Sequence, residues 1–186
     1  MDLTGKRVLV FGTGISGIGA SELLEQVGAK PVLYDGNKDL DAGKIREKLA
    51  EDSKAEILIG ELPDAVIEGL DLAVLSPGVP VDLPLVENIR ARKVPIWGEV
   101  ELAYAYSKGI LAAITGTNGK TTTTSLLGEI MKRHQKQVFV VGNIGTPYTQ
   151  AARKTTEDSV TVAEISSFQL ETIDHFHPQV SAILNI

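Results

Sequence analysis

The sequence contains no cysteine and no long apolar segment. The absence of cysteine excludes a disulfide scaffold and any thiolate metal site, and it fits a reducing compartment. The first apolar run, residues 8–11, is too short for the core of a signal peptide or for a membrane span. We therefore expect a cytoplasmic protein that has no membrane partner.

The sequence also lacks a basic stripe, because its 18 lysines and arginines are scattered and outnumbered by 24 acidic residues. A nucleic-acid backbone is therefore not the expected partner. Small phosphorylated ligands remain possible, since loop amides bind them without a basic surface. With 186 residues and 43% hydrophobic content, the chain can bury a core in one large or two small domains.

The most informative stretch is residues 113–122, where an apolar run leads into a glycine-rich turn, a lysine and hydroxyl residues. Residues 110–114 predict a buried strand, and residues 121–134 have the apolar spacing of a helix. Such a turn at a helix N-terminus is typical of a phosphate-binding loop. Lys120 could reach outer phosphates, and the Thr121 hydroxyl could join a magnesium shell. The generic P-loop has glycine at position 114, so Ile114 indicates a shorter variant.

The first half of the chain has a second glycine-rich pattern, Gly-x-Gly-x-x-Gly, at residues 12–17. A predicted strand precedes it and a predicted helix follows it. Asp35 ends the next strand, at the position where an acidic residue would bind the ribose of a nucleotide. The pattern indicates a nucleotide-binding βαβ unit. It does not distinguish a dinucleotide from another diphosphate ligand, or either of these from glycines that only permit close packing.

Three further segments lie at the predicted carboxyl ends of strands, where ligands gather in open α/β sheets. Ser76, Pro77 and Gly78 form a rigid turn, for which the alternative is a turn without a ligand. Asn143 lies in a glycine-flanked turn, where it could contact a ligand or only cap the turn. Glu164 ends an apolar strand, where it could hold magnesium or form a salt bridge. Ser167, with Gln169 or Glu171, suits the start of a short helix.

We expect an α/β protein with two domains. Residues 1–109 would form a Rossmann-like parallel-sheet domain, and residues 110–186 would form the first part of a P-loop ATPase domain. The chain stops at a predicted interior strand, so we expect a longer protein or a partner that covers the sheet edge. His175 and His177 have no companions at metal-ligand spacing, and we predict no zinc site there.

Residues 113–122, 142–145 and 164–171 resemble the Mur ligase family, the amide-bond-forming enzymes of peptidoglycan precursor synthesis, which support cell shape and division. Residues 12–17, 76–78 and 98–101 are similar to the family's N-terminal domain, so the resemblance covers the whole chain. The shortened P-loop with Ile114 is the family's own form. The resemblance implies that the first domain binds a UDP-sugar and not NAD. The residues so implied are Gly14, Ile15, Ser16, Asp35, Gly36, Ser76, Pro77, Gly78, Asn143 and Ser166.

The resemblance also implies the chemistry, in which ATP with Mg²⁺ phosphorylates the carboxylate of UDP-N-acetylmuramoyl-L-alanine and D-glutamate attacks the acyl phosphate. Lys120 and Glu164 would be catalytic, and Thr121 and Glu164 would hold the metal. A third domain and a carboxylated lysine would lie beyond residue 186, so we expect no turnover from this chain alone. We also expect a monomer. The alternatives are an NAD-linked oxidoreductase and a non-catalytic nucleotide-binding module. The residues implied to bind ATP are Gly116, Thr117, Asn118, Gly119, Lys120, Thr121 and Thr122.

Overall fold

The computed structural model describes residues 2–186, which form two compact units. The first unit ends at Glu99 and the second begins at Val100. Each unit has a sheet of parallel strands, as the alternation of strands and helices predicted. Within residues 2–186, every helix is too short or too polar to cross a membrane.

The first unit is a five-stranded sheet with the strand order β3-β2-β1-β4-β5. Apart from Arg7 at the start of β1, strands β1 and β4 are apolar and buried, as expected for parallel strands that are covered on both faces. The strand order reverses between β1 and β4, which is where ligands bind in open α/β sheets. The elements are β1 (Arg7–Phe11), α1 (Ile15–Gln26), β2 (Lys30–Asp35), α2 (Ala42–Arg46), β3 (Glu56–Ile59), α3 (Asp64–Glu68), β4 (Leu72–Leu75), α4 (Pro84–Ala91) and β5 (Ile96–Gly98).

The second unit is a four-stranded sheet with the strand order β7-β8-β6-β9. Its central strands β6 and β8 carry the phosphate-loop segment and Glu164 at their carboxyl ends, and the two strands pair directly with each other. The elements are α5 (Glu99–Tyr106, whose first residue belongs to the first unit), β6 (Ile110–Thr115), α6 (Lys120–Lys132), β7 (Val138–Gly142), α7 (Tyr148–Ala152), β8 (Val160–Glu164), α8 (Ser167–Leu170) and β9 (Val180–Ile183).

The structure assigns residues 100–109, which we expected in the first domain, to the second unit. Glu101 explains this assignment, because its buried carboxylate accepts the backbone N–H groups of Asp174, His175 and Phe176 at 2.8, 2.9 and 3.0 Å. Tyr104 adds an edge-to-face contact with the Phe176 ring at 5.3 Å. Helix α5 therefore holds the segment that connects α8 to β9.

Two helices differ from the sequence-based expectation. The mixed acidic and basic residues over 41–51 predict one helix, but α2 ends at Arg46. The Arg46 guanidinium donates to the carbonyl oxygens of Ser53 and Ala55, so the following segment folds back towards α2. Helix α7 was not predicted, because it is one short turn that begins after Pro147. Elements this short depend on tertiary contacts more than on apolar periodicity.

Candidate functional site

The first candidate site lies where β1 and β4 end in the first unit. The backbone N–H of Ser76 donates to the carbonyl of Phe11 at 3.0 Å, so the loops that follow β1 and β4 lie side by side. A Cβ at Gly12 would lie 2.7 Å from the Ser76 hydroxyl oxygen, and one at Gly17 would lie 1.8 Å from the Gly12 carbonyl oxygen. These two glycines are therefore required by packing alone.

Gly14 differs from the other two motif glycines, because a Cβ there would meet nothing within 4 Å. It is the N-cap of α1, it offers no side chain to the first-turn N–H groups, and Ile15 beside it is 74% exposed. The start of α1 therefore presents backbone donors and the positive end of the helix dipole to open space. This is the arrangement expected around a diphosphate.

Asp35 is tied to the glycine loop. Its Oδ2 accepts the backbone N–H and the hydroxyl of Thr13 at 3.3 and 2.9 Å, and its Oδ1 accepts the N–H of Asn37 at 3.1 Å. The carboxylate therefore fixes the position of the loop against the end of β2, a role that sequence reasoning did not identify. Oδ2 already accepts two bonds and Oδ1 accepts one, so only Oδ1 can accept a further bond, and contact with a ligand stays a prediction.

The second candidate site is the loop between β6 and α6. Gly116 and Gly119 have φ values of +136° and +81°, which disfavour other residues, and Gly119 is the N-cap of α6 without a side-chain cap. The Lys120 ammonium donates to the carbonyl oxygens of Gly116 and Thr117 at 2.7 and 3.1 Å. It has three hydrogens, so one donor remains for a ligand.

The loop N–H groups fall into two classes. Those of Thr117 and Asn118 donate within the protein, to the main-chain oxygen and the Oδ1 of Asn185 at 3.2 and 2.8 Å. The first helical bond runs from the Thr123 N–H to Gly119, so the N–H groups of the preceding turn are the donors that α6 can offer to a phosphate. Thr117 and Asn118, expected among the phosphate-binding residues, therefore have backbone donors that are already in use.

Glu164 is 2% exposed at the end of β8. Its Oε1 accepts the Asn143 amide at 3.4 Å, and its Oε2 has no hydrogen-bond partner within the part of the chain that the structure describes. Across residues 2–186, the ion pairs between side chains do not include Glu164, so the salt bridge weighed as an alternative is not formed. A buried carboxylate oxygen without a partner is suited to a cation.

The set of protein ligands for such a cation is small. No group of three or more His, Asp or Glu side chains in residues 2–186 is arranged to hold a metal ion. Glu164 pairs in register with Ile114 on β6, and Thr121 is an exposed hydroxyl residue in the first turn of α6, the helix that follows β6. These residues fit Mg²⁺, which usually takes one or two protein oxygens together with phosphates and water.

The two remaining predicted contacts, Asn143 and Ser166, lie near Glu164. The N–H of Asn143 donates to the Glu164 carbonyl at 3.0 Å. Ser166, not Ser167, is the N-cap of α8. Its hydroxyl accepts the Gln169 N–H at 3.3 Å, and its own N–H donates to the Gln169 Oε1 at 2.9 Å. Ser166 therefore has a structural role in a capping box, and its contact with a ligand stays a prediction.

Two family models match this chain. Residues 6–98 match "Mur ligase MurD-like, N-terminal domain", and residues 114–186 match "Mur ligase middle domain". UDP-N-acetylmuramoylalanine--D-glutamate ligases from Lachnospira eligens and Lachnoclostridium phytofermentans are 60% and 59% identical over the whole chain. The chain spans 41% of the length of each of these relatives.

Solved structures support the fold. A murein peptide ligase from Psychrobacter arcticus superposes with a TM-score of 0.57 at 16% identity, over 96% of this chain and 42% of that one. A UDP-N-acetylmuramate:L-alanyl-gamma-D-glutamyl-meso-diaminopimelate ligase from Neisseria meningitides gives 0.55 at 18% identity, over 97% of this chain and 60% of that one.

Proposed function

The chain belongs to the Mur ligase family, and from this premise we propose that it is part of an ATP-dependent ligase that adds D-glutamate to UDP-N-acetylmuramoyl-L-alanine. Relatives that are 60%, 59% and 48% identical to this chain carry the name of that reaction. The observation that supports the proposal most directly is the buried Glu164 on the strand beside the phosphate-loop strand, because its Oε2 has no hydrogen-bond partner among residues 2–186.

The second unit would bind and activate ATP. A carboxylate is a poor acceptor for an amine because oxide would have to leave, and transfer of a phosphoryl group gives it a better leaving group. Lys120 and the first-turn N–H groups of α6 would stabilise the negative charge that develops on the transferred phosphoryl group. Mg²⁺, held by Glu164 and Thr121, would neutralise charge on the phosphate oxygens. The amine of D-glutamate would then attack the acyl phosphate, and phosphate would leave.

The first unit would bind the UDP-sugar. The start of α1 at Gly14, Ile15 and Ser16 suits its diphosphate, because the N–H groups there have no side-chain cap. Asp35 and Gly36 would lie at the uracil end, and the turn at residues 76–78 would border the same pocket. We also propose contacts from Asn143 and Ser166 in the second unit, and these rest on the family resemblance alone.

The proposed enzyme is cytoplasmic and monomeric, and it uses ATP and Mg²⁺. We propose that these 186 residues alone have no ligase turnover, because the relatives are much longer. An NAD-linked oxidoreductase is not favoured, because residues 12–17 and Asp35 are its only support and it leaves the loop at residues 116–122 unexplained.

Calorimetric titration of the 186-residue chain, separately with UDP-N-acetylmuramoyl-L-alanine and with NADH, tests which ligand the first unit binds. We expect binding of the UDP-sugar and none of NADH, and the reverse result would overturn the assignment. For the reaction, the assay is phosphate release by a protein of the relatives' full length that carries these residues. It receives ATP, the UDP-sugar and a panel of amino acids. Absence of release with D-glutamate would contradict the ligase assignment.

A further inference from the structure

Asn185 makes a two-point contact with the phosphate loop. Its Oδ1 accepts the N–H of Asn118 at 2.8 Å, and its Nδ2 donates to the carbonyl of Asn118 at 3.0 Å. Its main-chain oxygen accepts the N–H of Thr117 at 3.2 Å, and the N–H of Leu184 donates to Thr115 at 3.0 Å. Four hydrogen bonds therefore join residues 115–118 to the two residues that follow β9.

The contact depends on the chemistry of asparagine. A carboxamide presents one acceptor and one donor side by side, and it can therefore form hydrogen bonds with both the N–H and the carbonyl of one residue. Aspartate keeps only the acceptor, and leucine has the same approximate shape with neither. The loop comes so close that a Cβ at Gly116 would lie 3.0 Å from the Asn185 carbonyl oxygen.

The consequence concerns the carbonyl oxygens of the loop. Lys120 donates to the carbonyl oxygens of Gly116 and Thr117, and the Asn185 Nδ2 donates to the carbonyl oxygen of Asn118. Three successive carbonyl dipoles, which would repel a phosphate, are thus each bound to a donor. The N–H groups of Thr117 and Asn118 already donate to Asn185, so the backbone N–H groups that remain for a phosphate are those of the first turn of α6.

We propose that Asn185 is a positioning residue for nucleotide binding, which holds the loop so that its donors and not its carbonyl groups face the phosphates. The proposal rests on the proposed function, because it assumes that the loop binds a nucleotide. It adds a residue that the sequence motif does not contain, since Asn185 lies 67 residues from Asn118.

The first measurement needs no nucleotide. Amide hydrogen exchange of Thr117 and Asn118 is followed in the 186-residue chain and in the variants Asn185→Leu and Asn185→Asp. We expect exchange at Asn118 to be about three- to tenfold faster in the leucine variant, as for loss of one hydrogen bond. The aspartate variant should keep much of the protection. Asn88→Leu, a matched change on α4 of the first unit, should leave both amides unchanged.

The second measurement is the affinity for Mg²⁺ with a non-hydrolysable ATP analogue. We expect the leucine variant to bind about tenfold more weakly, and the aspartate variant to bind at least as poorly, because its charge faces the Asn118 carbonyl and opposes the phosphates. Binding of the UDP-sugar should not change. A purely structural role would give affinities that follow the exchange rates, so that aspartate would restore both.

The outcomes separate the two hypotheses. Unchanged exchange in Asn185→Leu would overturn the contact itself, whatever the nucleotide does. Faster exchange with wild-type affinity, or full recovery of affinity in Asn185→Asp, would overturn the positioning role. If the unmodified chain gave protected amides but no binding of the analogue, the nucleotide part of the proposed function would fail, and the positioning role with it. The protected amides would show that the contact itself exists.

Discussion

The substitution Glu164→Gln should make the metal-free second unit more stable while it removes the binding of Mg²⁺ with nucleotide. Glutamine keeps the shape of the side chain, and its oxygen can accept the same bond from Asn143 that Glu164 accepts at 3.4 Å. What disappears is the charge on a buried group whose second oxygen has no partner in the described residues. Stability and function therefore change in opposite directions.

The size of the effect follows from the contacts. A buried polar group without a partner costs about 1–3 kcal/mol, and more if it is charged. Because the glutamine Nε2 would also lack a partner, we expect a gain of about 1–2 kcal/mol in the free energy of unfolding of the metal-free unit. Mg²⁺ and nucleotide at 100 times their dissociation constant would stabilise the wild type by about 2.7 kcal/mol, and the variant by much less. The rank order of the two proteins should reverse.

Urea unfolding with EDTA, and then with Mg²⁺ and the ATP analogue, measures both effects. The chain has a single tryptophan, Trp97, which is buried in β5 of the first unit, so its fluorescence reports that unit as an internal control. Amide exchange in β6 and β8 follows the second unit. Glu129→Gln, at an exposed glutamate on α6, is the matched control and should change neither result.

Two results would refute this reasoning. A metal-free Glu164→Gln variant that is less stable than the wild type would mean that the carboxylate already stabilises the fold. Equal stabilisation of both proteins by Mg²⁺ and nucleotide would mean that Glu164 is not a metal ligand. Either result would remove the main support for the proposed second-unit site.

Three further predictions concern other positions. Gly17→Ala should destabilise the first unit by about 3 kcal/mol or more, because its Cβ would lie 1.8 Å from a carbonyl oxygen. Gly14→Ala should fold normally but bind the UDP-sugar more weakly. Equal melting curves for the two variants would contradict the expected difference in stability. Lys120→Ala should lose nucleotide binding in calorimetry while UDP-sugar binding is kept, and unchanged nucleotide affinity would make the lysine structural. Burial raises the pKa of Tyr148 to about 12 from 10.0, so its contribution to stability is complete below pH 10 and is lost as the pH rises towards 12. The free energy of unfolding of the second unit, measured with urea, should therefore fall over this pH range by up to about 1.4 kcal/mol per pH unit more in the wild type than in Tyr148→Phe. Parallel pH profiles of the two proteins would contradict this prediction.

The strands were predictable because they are short, apolar and bounded by turn residues. The apolar pattern of residues 159–165 predicts a strand over that range, and the observed strand Val160–Glu164 is one residue shorter at each end. The five-residue helix α3 was missed, since Asp64–Glu68 is too short for a helical period to be visible. Ser167 was expected to cap α8 and Ser166 does so, because adjacent serines satisfy the same local pattern.

The two glycine-rich loops and Glu164 were predictable because each has a local signature next to a strand. The residues that hold those loops in place were not. Thr13 reaches Asp35 across 22 residues, and Asn185 reaches Asn118 across 67. Such pairs are brought together only when the parallel strands are in register, and no spacing in one sequence encodes them.

The strand order β7-β8-β6-β9 has a consequence for the order of folding during synthesis. Strand β6 leaves the ribosome first, but both of its neighbours in the sheet, β8 and β9, are made later. A nascent chain that ends near residue 150 therefore has the complete phosphate-loop sequence but neither the strands that flank β6 nor Asn185. Because β6 pairs only with strands that are made later, the loop can be held in its observed position only after β8, β9 and Asn185 have been made, and non-local parallel pairings of this kind form slowly.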